Sequence, residues 1–216
     1  MRGLLVKDLR QILQQKKFLV IMLLLAFFLN MNTDGSFVFG YLTFVGAFLV
    51  LNTLSYDEYD NTLPFIFTLP VERKTYAIEK YVFGLLVCGT GWLVGLVVAL
   101  VQSLFTTGVS VREILIVCPI FIPLFMLMLS VMIPFPLIFG REKGTIVMMV
   151  VMSACIAIVY LCDRFLGTRG MSLGQLLDSL SGMKLGMLEL LAFGVALLVL
   201  GISCSASVAA MKNKEL

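Results

Sequence analysis

Residues 81–105 read YVFGLLVCGTGWLVGLVVALVQSLF, a run of 25 residues without a charged side chain. As a helix rising 1.5 Å per residue, this run outreaches the roughly 30 Å hydrocarbon layer of a bilayer. Apolar runs of similar length recur on both sides of it. Of the 216 residues 60% are hydrophobic and only 13% charged, about half the charged share of a soluble domain, which excludes a water-soluble single domain. The net charge of +3 is too small and too scattered for nucleic acid.

Working outward, the stretch from Phe18 to Tyr56 carries one charge, Asp34, inside the turn-forming cluster Asn30-Met31-Asn32-Thr33-Asp34-Gly35-Ser36. That cluster predicts a hairpin of two spans, near 17–33 and 37–56. A fourth span is expected at 113–139, a fifth at 144–162 and a sixth at 187–211. The fourth contains Pro119, Pro123, Pro134 and Pro136, each of which removes a backbone donor, so it should be kinked or broken. It forms either a cavity wall or a plain bend. Gly91 and Gly95 in the third span make a GxxxG step suited to close helix packing or to a dimer seam. The first two spans are the other candidate seam. The fold class is thus all-α polytopic with six transmembrane helices, a single transmembrane domain over 1–216.

Residues 1–17 place Leu5, Leu9, Ile12 and Leu13 on one helical face and Lys7, Arg10, Gln11 and Gln14 on the other. This is either a helix lying in the membrane interface or an extension of the first span. Between the last two spans, residues 163–186 carry Leu173, Leu176, Leu177 and Leu180 on one face, the pattern of a short re-entrant or interfacial helix.

Twelve of the 16 lysines and arginines fall on one side of this six-span layout: Arg2, Lys7, Arg10, Lys16, Lys17, Arg73, Lys74, Lys80, Arg141, Lys143, Lys212 and Lys214. Only Arg112, Arg164, Arg169 and Lys184 fall on the other. The positive-inside rule then puts both termini in the cytoplasm, and no secretory signal peptide is recognisable.

Several chemistries are excluded. The chain has no histidine, the usual general base and metal ligand. Its five cysteines lie in or beside apolar runs without CxxC spacing, so neither disulfides nor a metal is signalled. No glycine is followed directly by lysine, so the GxxxxGK[ST] phosphate cradle is absent, and any ATP must be bound by another chain. The predicted span interiors hold Asn52, Gln102, Ser130, Ser153 and Ser203 but no ionisable group, which argues against an ion-coupled carrier. Such an interior suits an amphipathic peptide or a lipid-like compound better than an ion.

The densest polar segment spans 57–80. It has an acidic start (Asp57, Glu58, Tyr59, Asp60), an apolar middle including Phe65 and Leu69, and a basic end at Arg73 and Lys74. It is either a docking segment, with the hydrophobics as anchors and the charges setting register, or a solvated connection resting on the membrane. A second loop on the same side carries Arg141, Glu142 and Lys143.

Four landmarks together carry a family resemblance: Leu4-Leu5-Val6-Lys7-Asp8-Leu9, Tyr56-Asp57-Glu58, Leu69-Pro70-Val71-Glu72-Arg73-Lys74 leading to Lys80-Tyr81, and Pro136-Leu137-Ile138-Phe139-Gly140-Arg141-Glu142-Lys143-Gly144. In order and spacing the chain resembles the ABC-2 type permeases, most of all the subgroup containing the phenol-soluble modulin exporter permease. The resemblance implies an N-terminal elbow helix over 1–17 and a cytoplasmic coupling helix within 57–80. It also implies two cassette ATPase subunits that bind ATP and Mg, a second permease copy (identical or related), and a bacterial plasma membrane. The residues above in 57–74 would then be the ATPase-coupling surface. The rival expectation is a membrane immunity or organising protein that transports nothing.

Overall fold

In a bilayer each backbone N–H and C=O must be satisfied within the protein, so apolar runs of this length close on themselves as helices. The computed structural model describes residues 2–30, 37–59, 72–104, 111–140 and 185–212, with 143–144, 146–147, 149–150 and 153 in addition. Among these there is no strand. Helix α1 (Arg2–Gln14) is followed by α2 (Lys16–Asn30), and the two meet at Gln15 with a 69° bend. Then come α3 (Phe37–Tyr59) and α4 (Arg73–Ser103). Next are α5 (Val111–Val117), a 3-10 turn at Cys118–Ile120, α6 (Phe121–Met132) and α7 (Pro134–Phe139). The last described helix is α8 (Leu185–Lys212).

Among the described residues, four segments are long and apolar enough to cross a membrane: Phe37–Asp57, Arg73–Ser103, Ile114–Phe139 and Gly186–Lys212. The bent α1–α2 pair makes a fifth if it is taken as one broken span. Six spans were expected from the sequence. Helix α2 falls short because its 15 residues reach only about 22 Å, less than the hydrocarbon thickness. The expected fifth span, 144–162, and the interfacial segment 163–186 lie largely outside the described residues.

Helices in lipid gain little from hydrophobic transfer and depend on close packing. Here α3 and α4 pack through glycines on both. A Cβ at Gly91 would stand 2.9 Å from the Leu42 carbonyl oxygen, one at Gly95 would touch Phe39, and one at Gly46 would touch the Cys88 backbone. The Gly91–Gly95 step is therefore where α3 of the same chain packs. Gly84, on the same helix, lets Leu129 and Ile133 of the proline-rich span approach.

The proline-rich span is interrupted twice, at the 3-10 turn Cys118–Ile120 and at Ile133 before Pro134. Pro134 has no N–H to give to the carbonyl of Ser130, four residues earlier. The Ser203 hydroxyl of α8 donates to that carbonyl instead, at 2.6 Å. With its proton spent there, Ser203 accepts from the Tyr81 hydroxyl at 2.7 Å, and Ser207 donates to Tyr81 at 2.8 Å. One chain of hydroxyls thus ties α4, α6 and α8. At the other break, the Trp92 indole N–H donates to the Cys118 carbonyl at 2.9 Å, in the 3-10 turn that contains Pro119. Pro123 lies within α6 and Pro136 within α7. Helix α7 ends at Gly140, whose φ of 79° and ψ of 173° only glycine adopts readily. The chain then folds back so tightly that a Cβ at Gly144 would meet the Phe135 carbonyl oxygen at 2.8 Å.

Helices α2 and α8 leave broad apolar faces uncovered, with Leu24 and Phe28 on the first and Leu190, Leu198 and Ile202 on the second all more than 60% exposed. Such faces are what a bilayer or a neighbouring apolar helix covers.

Candidate functional site

At one end of the bundle, three helix segments converge on a buried cluster of charge. Helix α1 supplies Lys7 and Asp8. Its buried face is Leu4, Asp8 and Ile12, at i, i+4 and i+8, so a carboxylate sits in the middle of an apolar stripe. This face differs from the expected one. Leu9 and Leu13, expected to share a face with Ile12, are about half exposed, because α1 has two apolar surfaces, one against the protein and one turned outward.

Helix α3 contributes Asp57 in its last turn. An anion there opposes the helix dipole, so it needs cations, and it has two. Lys7 forms an ion pair and hydrogen bond with Asp57 Oδ1, and Lys80 lies 2.8 Å from Oδ2. The Tyr76 hydroxyl donates to Oδ2 at 2.9 Å. Helix α4 supplies Tyr76, Glu79 and Lys80 from its first two turns. Lys80 also pairs with Asp8 Oδ2, Lys7 lies 3.2 Å from Asp8 Oδ1, and the Lys80 ammonium is 5.2 Å from the Tyr76 ring centroid.

Lys80, Asp8, Asp57 and Tyr76 are essentially sealed from solvent, whereas the Lys7 side chain is one-third exposed. Two lysines balance two aspartates. A third carboxyl, Glu79, is equally buried, and among the described residues its oxygens accept no hydrogen bond. Charges withdrawn from water to this degree hold only if each is paired, and removing one partner strands the rest. The cluster is a lock between three segments distant in sequence.

The expected site residues divide as follows. Asp57 belongs to the lock and is not presented on the surface. Glu58 and Tyr59 finish α3, and Asp60, Phe65 and Leu69 lie outside the described residues. Arg73 opens α4, half-buried, and Lys74 beside it is exposed. Arg141 and Glu142 lie outside the described residues, while Lys143 is exposed just before Gly144. Sequence reasoning missed Asp8, Tyr76, Glu79 and Lys80. The signal for Asp8 was its place midway between Leu4 and Ile12. Among the described residues no group of His, Cys, Asp and Glu is arranged to hold a metal ion.

A bundle of membrane-length helices packed through glycines, locked at one end by buried ion pairs, defines a polytopic helical membrane protein. The family model for ABC-2 family transporter proteins matches residues 3–212, nearly the whole chain. The chain belongs to the ABC-2 transporter family, which is consistent with a permease subunit working with ABC ATPase partners in a membrane. No curated protein and no solved structure matches it.

Proposed function

We propose that the chain is the permease subunit of an ATP-driven exporter in a bacterial plasma membrane, with both termini cytoplasmic. Two permease copies would pair, and two separate ATPase subunits would bind ATP and Mg below them. The observation that carries this reading is the position of the lock. Asp57 precedes and Tyr76 and Lys80 follow the segment 58–72 that an ATPase would grip, and all three are fastened to α1 or to one another. A push on that segment is transmitted to α3, α4 and α1 together, because separating any one of them strands a buried charge. In this reading α1 is the elbow helix and 57–80 contains the coupling helix. The substrate is an amphipathic peptide or lipid-like compound, which the sparse charge of the described span interiors and the likeness to the modulin-exporter subgroup both support.

Affinity purification in mild detergent tests the proposal. An equimolar cassette ATPase should co-elute and be lost in Glu58→Lys and Lys74→Glu, with the permease still monodisperse. Recovery of the folded permease with no ATPase would overturn the reading and leave the immunity or organising role.

A further inference from the structure

Beside the lock, α1 and the end of α3 enclose an open groove of about 510 Å³. Its floor is Asp57, whose oxygens are already engaged by Lys7, Lys80 and Tyr76. The groups left facing the groove are chiefly donors. Lys7, Arg10, Gln11 and Gln14 follow one another at i, i+3, i+4 and i+7 along a single face of α1, with the exposed Tyr56 opposite. Arg10 is exposed, and among the described residues no carboxylate is paired with it. The groove therefore offers positive charge and N–H donors to an anion, and a guanidinium is the side chain best matched to phosphate oxygens.

On the other flank of α1 a second groove, about 180 Å³, is almost wholly apolar, formed by Leu5 and Leu9 of α1 against Phe83, Leu86 and Val87 of α4. Leu86 and, further along α4, Leu93 and Val97 are more than half exposed, so this groove continues into the outer apolar surface of the bundle. Val6 lines both grooves and is itself half exposed, forming the ridge between them. A cationic, donor-rich pocket and an apolar channel thus share one residue at the boundary of a membrane-spanning bundle.

We propose that this pair of grooves is a binding site for an anionic phospholipid of the adjoining leaflet. The phosphate lies against Arg10 and the two glutamines, beside the lock-bound Lys7, and an acyl chain crosses Val6 to run between α1 and α4. Charge complementarity selects the headgroup, and continuity with the exposed face of α4 selects a lipid over a soluble anion. The inference rests on the membrane placement of α1 and not on an ATPase partner, so its failure leaves the proposed function standing.

The test is native mass spectrometry of the delipidated, detergent-purified full chain, titrated with dioleoyl phosphatidylglycerol, dioleoyl phosphatidylcholine or dihexanoyl phosphatidylglycerol. The anionic long-chain lipid should bind more tightly than either of the others. Arg10→Gln should weaken it about five-fold, the effect of one basic residue at an anionic membrane surface. Lys212→Gln, at an exposed position on α8, should leave it unchanged. Arg10 is exposed, so its variant folds. Equal binding of the two long-chain lipids, or an unchanged affinity in Arg10→Gln, would overturn the site. Displacement of the long-chain lipid by inorganic phosphate, or equal binding of the short-chain lipid, would show a free-anion site and overturn the lipid assignment.

Discussion

Replacing Lys80 by Met keeps the length of the side chain and removes one charge from the lock. Lys80 is fully buried and pairs with both Asp8 and Asp57. Without it, two buried carboxylates share Lys7 alone, and Glu79 lies close by without a hydrogen bond among the described residues. Breaking a buried pair by removing one partner costs about 3–5 kcal/mol, and because the two pairs share one ammonium their costs do not simply add. For a chain of this size each kcal/mol moves the melting midpoint by about 2–4 °C, so a fall on the order of 10 °C is expected. The assay is thermal unfolding in mild detergent at a fixed scan rate, followed by loss of the monodisperse peak. Lys7→Met should cost far less, about 1 kcal/mol or below, because Lys7 is partly exposed and water can take its place. Adding Asp8→Asn to Lys80→Met should restore part of the loss by removing one stranded charge. Equal shifts for Lys7→Met and Lys80→Met, or no recovery in the double variant, would refute the account of the lock.

Three further outcomes follow from the packing. Gly91→Ala should destabilise by about 1–3 kcal/mol, since its Cβ cannot stand 2.9 Å from the Leu42 carbonyl oxygen, while Gly89→Ala, with nothing within 4 Å, should be neutral or mildly stabilising in the same melting assay. Ser203→Ala leaves the Ser130 carbonyl and the Tyr81 hydroxyl short of a partner and should cost about 1–3 kcal/mol, whereas Ser205→Ala, whose exposed hydroxyl bonds the Ile202 carbonyl of its own helix, should melt like the wild type. Gly140→Ala puts a side chain at a φ of 79° and should cost about 1–3 kcal/mol, detectable as increased proteolysis at the turn that follows α7.

The span positions were legible because bilayer thickness imposes a length and apolarity that a sequence displays directly. The expected 37–56, 113–139 and 187–211 agree with Phe37–Asp57, Ile114–Phe139 and Gly186–Lys212 to within a residue or so. The third span was expected to begin at Tyr81, yet α4 starts at Arg73. Its 31 residues extend about 46 Å, so its first turns stand outside the apolar layer and carry charge. The proline breaks were equally plain. Their remedy was not, since nothing local pairs Ser203 with the carbonyl that Pro134 leaves free. The lock was invisible for the same reason. Lys7 and Asp57 are 50 residues apart and Asp8 and Lys80 are 72 apart, so periodicity can show that Asp8 interrupts a buried stripe but cannot name its partner. The Gly91–Gly95 step announced a close neighbour without saying that the neighbour was α3.

That separation also sets an order of events during biosynthesis. A ribosome adding about 5–20 residues per second needs about 4–14 s to pass from Asp8 to Lys80. Throughout that interval Asp8 has only the adjacent Lys7 of its two lock partners, and α1 cannot complete its seat against α4. Helices α2 and α3 therefore precede α4 with α1 not yet docked on it, and the arrival of α4 is the step that closes the assembly. A nascent chain halted before Lys80 would hold Asp8 and Asp57 with Lys7 alone, two carboxylates to one ammonium, so the lock is charge-balanced only once α4 has been made.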